Sequence, residues 1–128
     1  MIKIRGLDHL VLRVVDMERS LAFYCDLLGC AIERRVPDVG LIQLRAGRSL
    51  IDLVPRRSDG PPHGGDLDHF CLRLETFDAQ ALTQLLTQAG VPVEAVESRY
   101  GAEGFGPSLY IKDPDGIRVE LKGGPPET

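Results

Sequence analysis

LDHLVLRV, residues 7–14, returns at residues 67–74 as LDHFCLRL, an offset of 60 residues with Leu-Asp-His and a Leu-Arg pair in register. An internal repeat decides the architecture before any single element does. Both copies alternate with period two, as strands do. Each copy leads into a helical segment of the same kind. Asp16 can cap a helix through its side-chain oxygen. Leu21, Tyr24, Leu27 and Leu28 then fall at helical spacing, and Gly29 suits the left-handed stop. In the second half Asp78 or Thr76 caps, Leu82, Leu85, Leu86 and Ala89 form the stripe, and Gly90 ends it. Three strand-like segments come after each helix: AIERRVP, LIQLRAG and SLIDLVP, then VPVEAVESR, PSLYIKD and GIRVELKG. The chain is therefore α+β, built from two strand–helix–strand–strand–strand halves. PRRSDGPPHGGD, rich in Pro, Gly and charge, reads as the linker between them.

The halves differ in length. Gly29 to Asp52 spans 23 residues and Gly90 to Glu120 spans 30. The excess falls around RYGAEGFGPS, residues 99–108, whose glycines and aromatics suggest a mobile hairpin loop or a long turn. Composition narrows the function classes. The 128 residues fit one compact unit or two very small ones. A net charge of −4 without a basic run argues against nucleic acid as partner. No apolar stretch approaches the ~20 residues that span a bilayer, and the start MIKIRGLDHL lacks a signal-peptide core; the expected location is the cytoplasm. Cys25, Cys30 and Cys71 show no CxxC spacing and read as small buried hydrophobes.

Parity then singles out four residues. His9, Val11 and Arg13 share one face of the first strand, and His69, Cys71 and Arg73 share the matching face of its repeat. Each half closes with a carboxylate inside its last strand, Asp52 or Glu120. Asp is disfavoured in strands, and a carboxylate on a buried face is costly unless paired or coordinated. Imidazole and carboxylate donors together suit Zn, Mn, Fe, Co or Ni. Spacing alone leaves a second reading open, in which each His is solvated and Glu120 pairs with Lys112 or Arg118. Arg13 and Arg73 can hold a substrate carboxylate or phosphate, or reach to solvent. Tyr100, Phe105 and Tyr110 can line or cover a pocket, or pack as core. Cys71 shares the His69 face, and His63 belongs to the linker.

The closing stretch YIKDPDGIRVELKG, with its DPDG-x-x-x-E-L pattern, joins the two repeats in a resemblance to the vicinal oxygen chelate superfamily. That superfamily groups glyoxalase I, extradiol dioxygenases, fosfomycin-resistance and bleomycin-resistance proteins. The chain looks most like its short glyoxalase-like members labelled virulence-associated. The resemblance implies one domain over residues 1–128, with modules at about 5–57 and 66–123, a linker at about 56–66, and tandem βαβββ modules forming a curled mixed sheet. It implies one divalent ion (Ni, Co, Zn, Mn or Fe) on His9, Asp52, His69 and Glu120. Asp52 is a shortened version of the usual Glu, and three-ligand relatives use the equivalents of His9, His69 and Glu120. It further implies a small substrate with neighbouring oxygens, a homodimer, and proton transfer by Glu120 or Asp52 in lyase or isomerase chemistry. Extradiol dioxygenation, epoxide opening and metal-free sequestration of a drug or metabolite are the alternatives. Arg13 matches a glutathione-contacting Arg of glyoxalase I, whereas the Asn that comes after the metal carboxylate there has no counterpart in IDLVPRRS.

Overall fold

The first strand of each half lies beside the last. In the computed structural model, which describes residues 1, 3–4, 6–57, 65 and 67–126, the chain divides into two units, Met1–Gly65 and Asp66–Thr128. Unit 1 runs β1 (His9–Val14), α1 (Met17–Leu21), a π-helical turn (Ala22–Leu27), β2 (Ala31–Val36), a short 3-10 turn (Pro37–Val39), β3 (Leu41–Ala46) and β4 (Ser49–Pro55). Its sheet has the order β1-β4-β3-β2, with β1 parallel to β4 and the other pairs antiparallel. Unit 2 repeats this with β5 (His69–Arg73), α2 (Ala79–Gln88), β6 (Glu94–Gly101), β7 (Gly104–Lys112) and β8 (Arg118–Lys122), in the order β5-β8-β7-β6. A parallel pair needs a long crossover. Here the helix and two strands supply it and return the closing strand to the side of the opening one. Register sets Val11 opposite Asp52 and Cys71 opposite Glu120.

Burial obeys the alternation. Leu12 and Val14 of β1, Ile42 and Leu44 of β3, and Ile51 and Leu53 of β4 are buried, as are Phe23 and Tyr24 of the π-helical turn. His9, Val11 and Arg13 point to the opposite, exposed side. Asp16 caps α1, accepting from the Arg19 N–H at 3.1 Å. The stripe is shifted from the expected Leu21, Tyr24, Leu27 and Leu28: Ser20, Phe23 and Tyr24 are the buried residues, and the three leucines are half-buried. The wider π turn rotates the residues after Leu21 away from 3.6-residue spacing. Asp78 caps α2 through the Ala81 N–H at 3.1 Å. Only Leu86 of its expected stripe is buried, and Leu85 is exposed.

The DPDG turn launches β8. Asp113 is buried, and its Oδ1 accepts from the N–H groups of Asp115 and Ile117, both at 2.9 Å. Gly116 takes φ +82°. The stretch 99–108, expected as a mobile hairpin loop or a long turn, is a hairpin with a tight turn. It forms the end of the β6–β7 pair, with Arg99 opposite Gly106, Tyr100 opposite Phe105 and Gly101 opposite Gly104. Two of its glycines, Gly101 and Gly106, serve close approach: a Cβ on Gly106 would stand 2.7 Å from the carbonyl oxygens of both Gly123 and Gly124. Cys30 is buried as expected, Cys25 is half-buried, and Cys71 is exposed, because it sits on the open face of β5. Most of the linker, with His63, lies outside the described residues. Among the described residues no helix is long and apolar enough to cross a membrane.

Candidate metal centre

In unit 1 the open sheet face carries His9 and Asp52. His9 Nδ1 lies 2.8 Å from Asp8 Oδ2. That hydrogen bond raises the imidazole pKa above its ordinary value; partial burial opposes it and the Asp52 charge adds to it. Asp8 accepts from Nδ1, which leaves Nε2 as the ring nitrogen available to a ligand. Asp52 is only 5% exposed. Gln43, its register partner on β3, donates Nε2–H to Oδ2 at 3.1 Å. Oδ1 is buried and has no hydrogen-bond partner among the described residues. An orphaned buried carboxylate oxygen is costly unless a cation or donor comes from elsewhere.

Unit 2 repeats the arrangement with closer contact. Asp68 Oδ1 accepts from His69 Nδ1 at 2.6 Å, and this bond holds the Asp68 carboxyl below its ordinary pKa. His69 Nε2 stands 3.3 Å from Glu120 Oε1. Donors held at ~2.1 Å by one ion stand roughly 3 Å apart, so the spacing suits a shared metal. Glu120 is buried. Tyr110, its register partner, meets the His69 ring edge-on at 5.2 Å. Burial first, and then the Glu120 charge, push up the Tyr110 hydroxyl. The same causes push the Cys71 thiol to about 11. Arg118 and Arg99 lie over the Tyr110 ring at 4.0 and 4.6 Å. A cavity of about 350 Å³ opens here, lined by His69, Cys71, Arg73, Tyr100, Glu120 and Lys122 among others.

The four expected ligands thus appear as two pairs, one in each unit. Within neither unit do three His, Cys, Asp or Glu side chains gather at metal-binding geometry, among the described residues. Within each unit the donor chemistry nonetheless suits a divalent ion: an imidazole whose Nδ1 is tied to an aspartate, with a buried carboxylate on the same sheet face, Asp52 with an orphaned oxygen in one and Glu120 beside His69 in the other. Glu120 does not pair with Lys112 or Arg118 at the surface; it is buried against His69. Arg13 stays exposed on the His9 face. Arg73 lines the cavity, but Glu103 at the hairpin turn holds it. Tyr100 lines the cavity, whereas Phe105 packs edge-on against Tyr100 at 5.1 Å and is exposed. Sequence reading missed Asp8, Asp68 and Gln43. The recurring Leu-Asp-His was the available signal for the two aspartates; Gln43 becomes visible only through register.

The profile of the Glyoxalase/Bleomycin resistance protein/Dioxygenase superfamily matches residues 6–121. The glutathione transferase FosA of Serratia marcescens is 30% identical over 118 residues, 92% of this chain and 80% of its own length. Virulence protein STM3117 of Salmonella typhimurium is 31% identical over 121 residues, 90% of this chain and 81% of its own. The crystal structure of STM3117 aligns with a TM-score of 0.77 at 28% identity, covering 97% of this chain and 100% of that one. The mitochondrial methylmalonyl-CoA epimerase of Mus musculus is 28% identical over 134 residues, 94% of this chain and 74% of its own.

Proposed function

The chain belongs to the glyoxalase/bleomycin resistance protein/dioxygenase superfamily, and on that footing we propose that it is a divalent-metal-dependent enzyme acting on a small substrate with neighbouring oxygens, by lyase or isomerase chemistry. The observation that carries this reading is the repeated pair, a histidine with Nδ1 tied to the preceding aspartate beside a buried strand carboxylate. His9, Asp52, His69 and Glu120 would hold the ion. The ion when bound supplies Lewis acidity at the substrate oxygens. Asp8 and Asp68 fix the two rings so that Nε2 faces the site. Glu120 takes the proton from the carbon beside the substrate oxygen and returns it at the neighbouring position, and Asp52 is the candidate for the second proton transfer. Tyr110 and Gln43 position these carboxylates from the adjacent strands. We place both modules in one domain and assign a homodimer, which lets the two half-sets meet within a chain or between chains. Similarity to an epimerase by name supports proton transfer next to a carbonyl. Similarity to FosA, a glutathione transferase by name, favours nucleophile addition as a second reading.

Solvent exchange separates these. Metal-loaded protein in D₂O should place deuterium on the carbon next to the carbonyl of α-hydroxyketones and hemithioacetals. Glu120→Gln should slow this by at least about 10²-fold. Exchange that survives in both Glu120→Gln and Asp52→Asn would exclude these carboxylates as the proton carriers. Tight ligand binding with no metal and no turnover would favour a sequestering protein.

A further inference from the structure

The unit 2 cavity is lined by two cations in unlike circumstances. Arg73 is matched: its Nε donates to Glu103 Oε1 at 2.8 Å, its Nη2 to Oε2 at 3.4 Å, and its Nη1 to the Leu74 carbonyl. Lys122 is not. It is 6% exposed, and its Nζ donates to one group, the Gly104 carbonyl at 3.1 Å. Among the described residues no carboxylate lies within ion-pair reach of it. Glu120, two positions earlier on the same face, points its Oε1 at His69 Nε2, 3.3 Å away.

The hairpin is built around this side chain. A Cβ on Gly101 would stand 2.9 Å from Lys122 Cε, and one on Gly106 would stand 3.0 Å from Nζ. Two glycines therefore clear the track along which the lysine stem runs to the cavity. With one carbonyl acceptor, this buried side chain has hydrogen-bonding capacity left over, although Glu103 and Glu120 also line the cavity beyond ion-pair reach.

Resting on the metal-dependent reading above, we propose that Lys122 recognises an anionic group on the substrate, a carboxylate or phosphate. The substrate is then a small acid. Residues two apart on a strand have Cα atoms about 7 Å apart, so its charged group lies a few bonds from the oxygens handled at Glu120.

The test uses full-length metal-loaded protein and two probes measured by calorimetry. Inorganic phosphate reports the anion subsite. Acetohydroxamic acid, which chelates through two neighbouring oxygens and carries no carboxylate or phosphate group, reports the metal centre. Lys122→Met keeps the stem volume, and Lys122→Gln keeps a donor for the Gly104 carbonyl; at least one is needed folded. Each should weaken phosphate about tenfold or more while leaving acetohydroxamate unchanged. Phosphate affinity within about twofold of the parent protein in a folded variant overturns the assignment. Failure of the metal reading looks different: acetohydroxamate binds neither protein, yet phosphate still depends on Lys122.

Discussion

Asp8 and Asp68 each stand one residue before a histidine and each accept from its Nδ1, at 2.8 and 2.6 Å. The consequence is chemical, since the bond decides which nitrogen offers a lone pair. Asp68→Asn keeps the shape but loses the charge that holds the ring, so metal affinity should fall about 10- to 100-fold. A competitive chelator titration would read this, and affinity equal to that of the parent protein would return Asp68 to a surface role. Among single residues the sequence was partly legible. His9, Asp52, His69 and Glu120 emerged from strand parity and the repeat. The aspartates were visible in Leu-Asp-His, but their role depends on side-chain torsions that no spacing reports. Arg73 shows the converse case. Its face was read correctly, yet its partner, Glu103, lies thirty residues away in sequence and comes close only because the β6–β7 hairpin folds as it does.

Among the elements, the glycines of the β6–β7 hairpin mark space rather than looseness. Gly106 lies against backbone carbonyls that cannot rotate aside as a side chain would. Gly106→Ala should therefore cost about 1–3 kcal/mol of stability, seen as a lower midpoint in urea. A neutral result would mean that the hairpin does not pack on the 123–124 backbone. A glycine-rich, aromatic-flanked stretch looks the same in sequence whether it is an open loop or paired strands, so spacing did not report that Arg99 pairs with Gly106 and Tyr100 with Phe105. The DPDG turn was legible for the opposite reason. Its Asp, Pro and Gly each have one local job, and the Asp113 oxygen closes it on the N–H groups of Asp115 and Ile117. Helix α1 shows a third situation: its cap was readable, but the π turn that shifts its buried stripe leaves no mark in hydrophobic spacing.

Across the full chain, the 60-residue repeat was enough to give two βαβββ modules, because one strand order serves both: the closing strand must pair with the opening one for the helix to cross over. Each unit then presents one His/carboxylate pair, half of the proposed donor set. What joins two halves is not written in either repeat. If the pairs act together, they hold one divalent ion per chain, and native mass spectrometry of protein purified without a metal-binding tag would count the ions. The expected species is a dimer of twice 14.1 kDa carrying two ions. Both ions should be lost in His69→Ala and in Glu120→Ala, and only weakened in Asp52→Ala. A protein that carries no ion and takes up none of Ni, Co, Zn, Mn or Fe, or variants that keep full occupancy, would refute the shared centre.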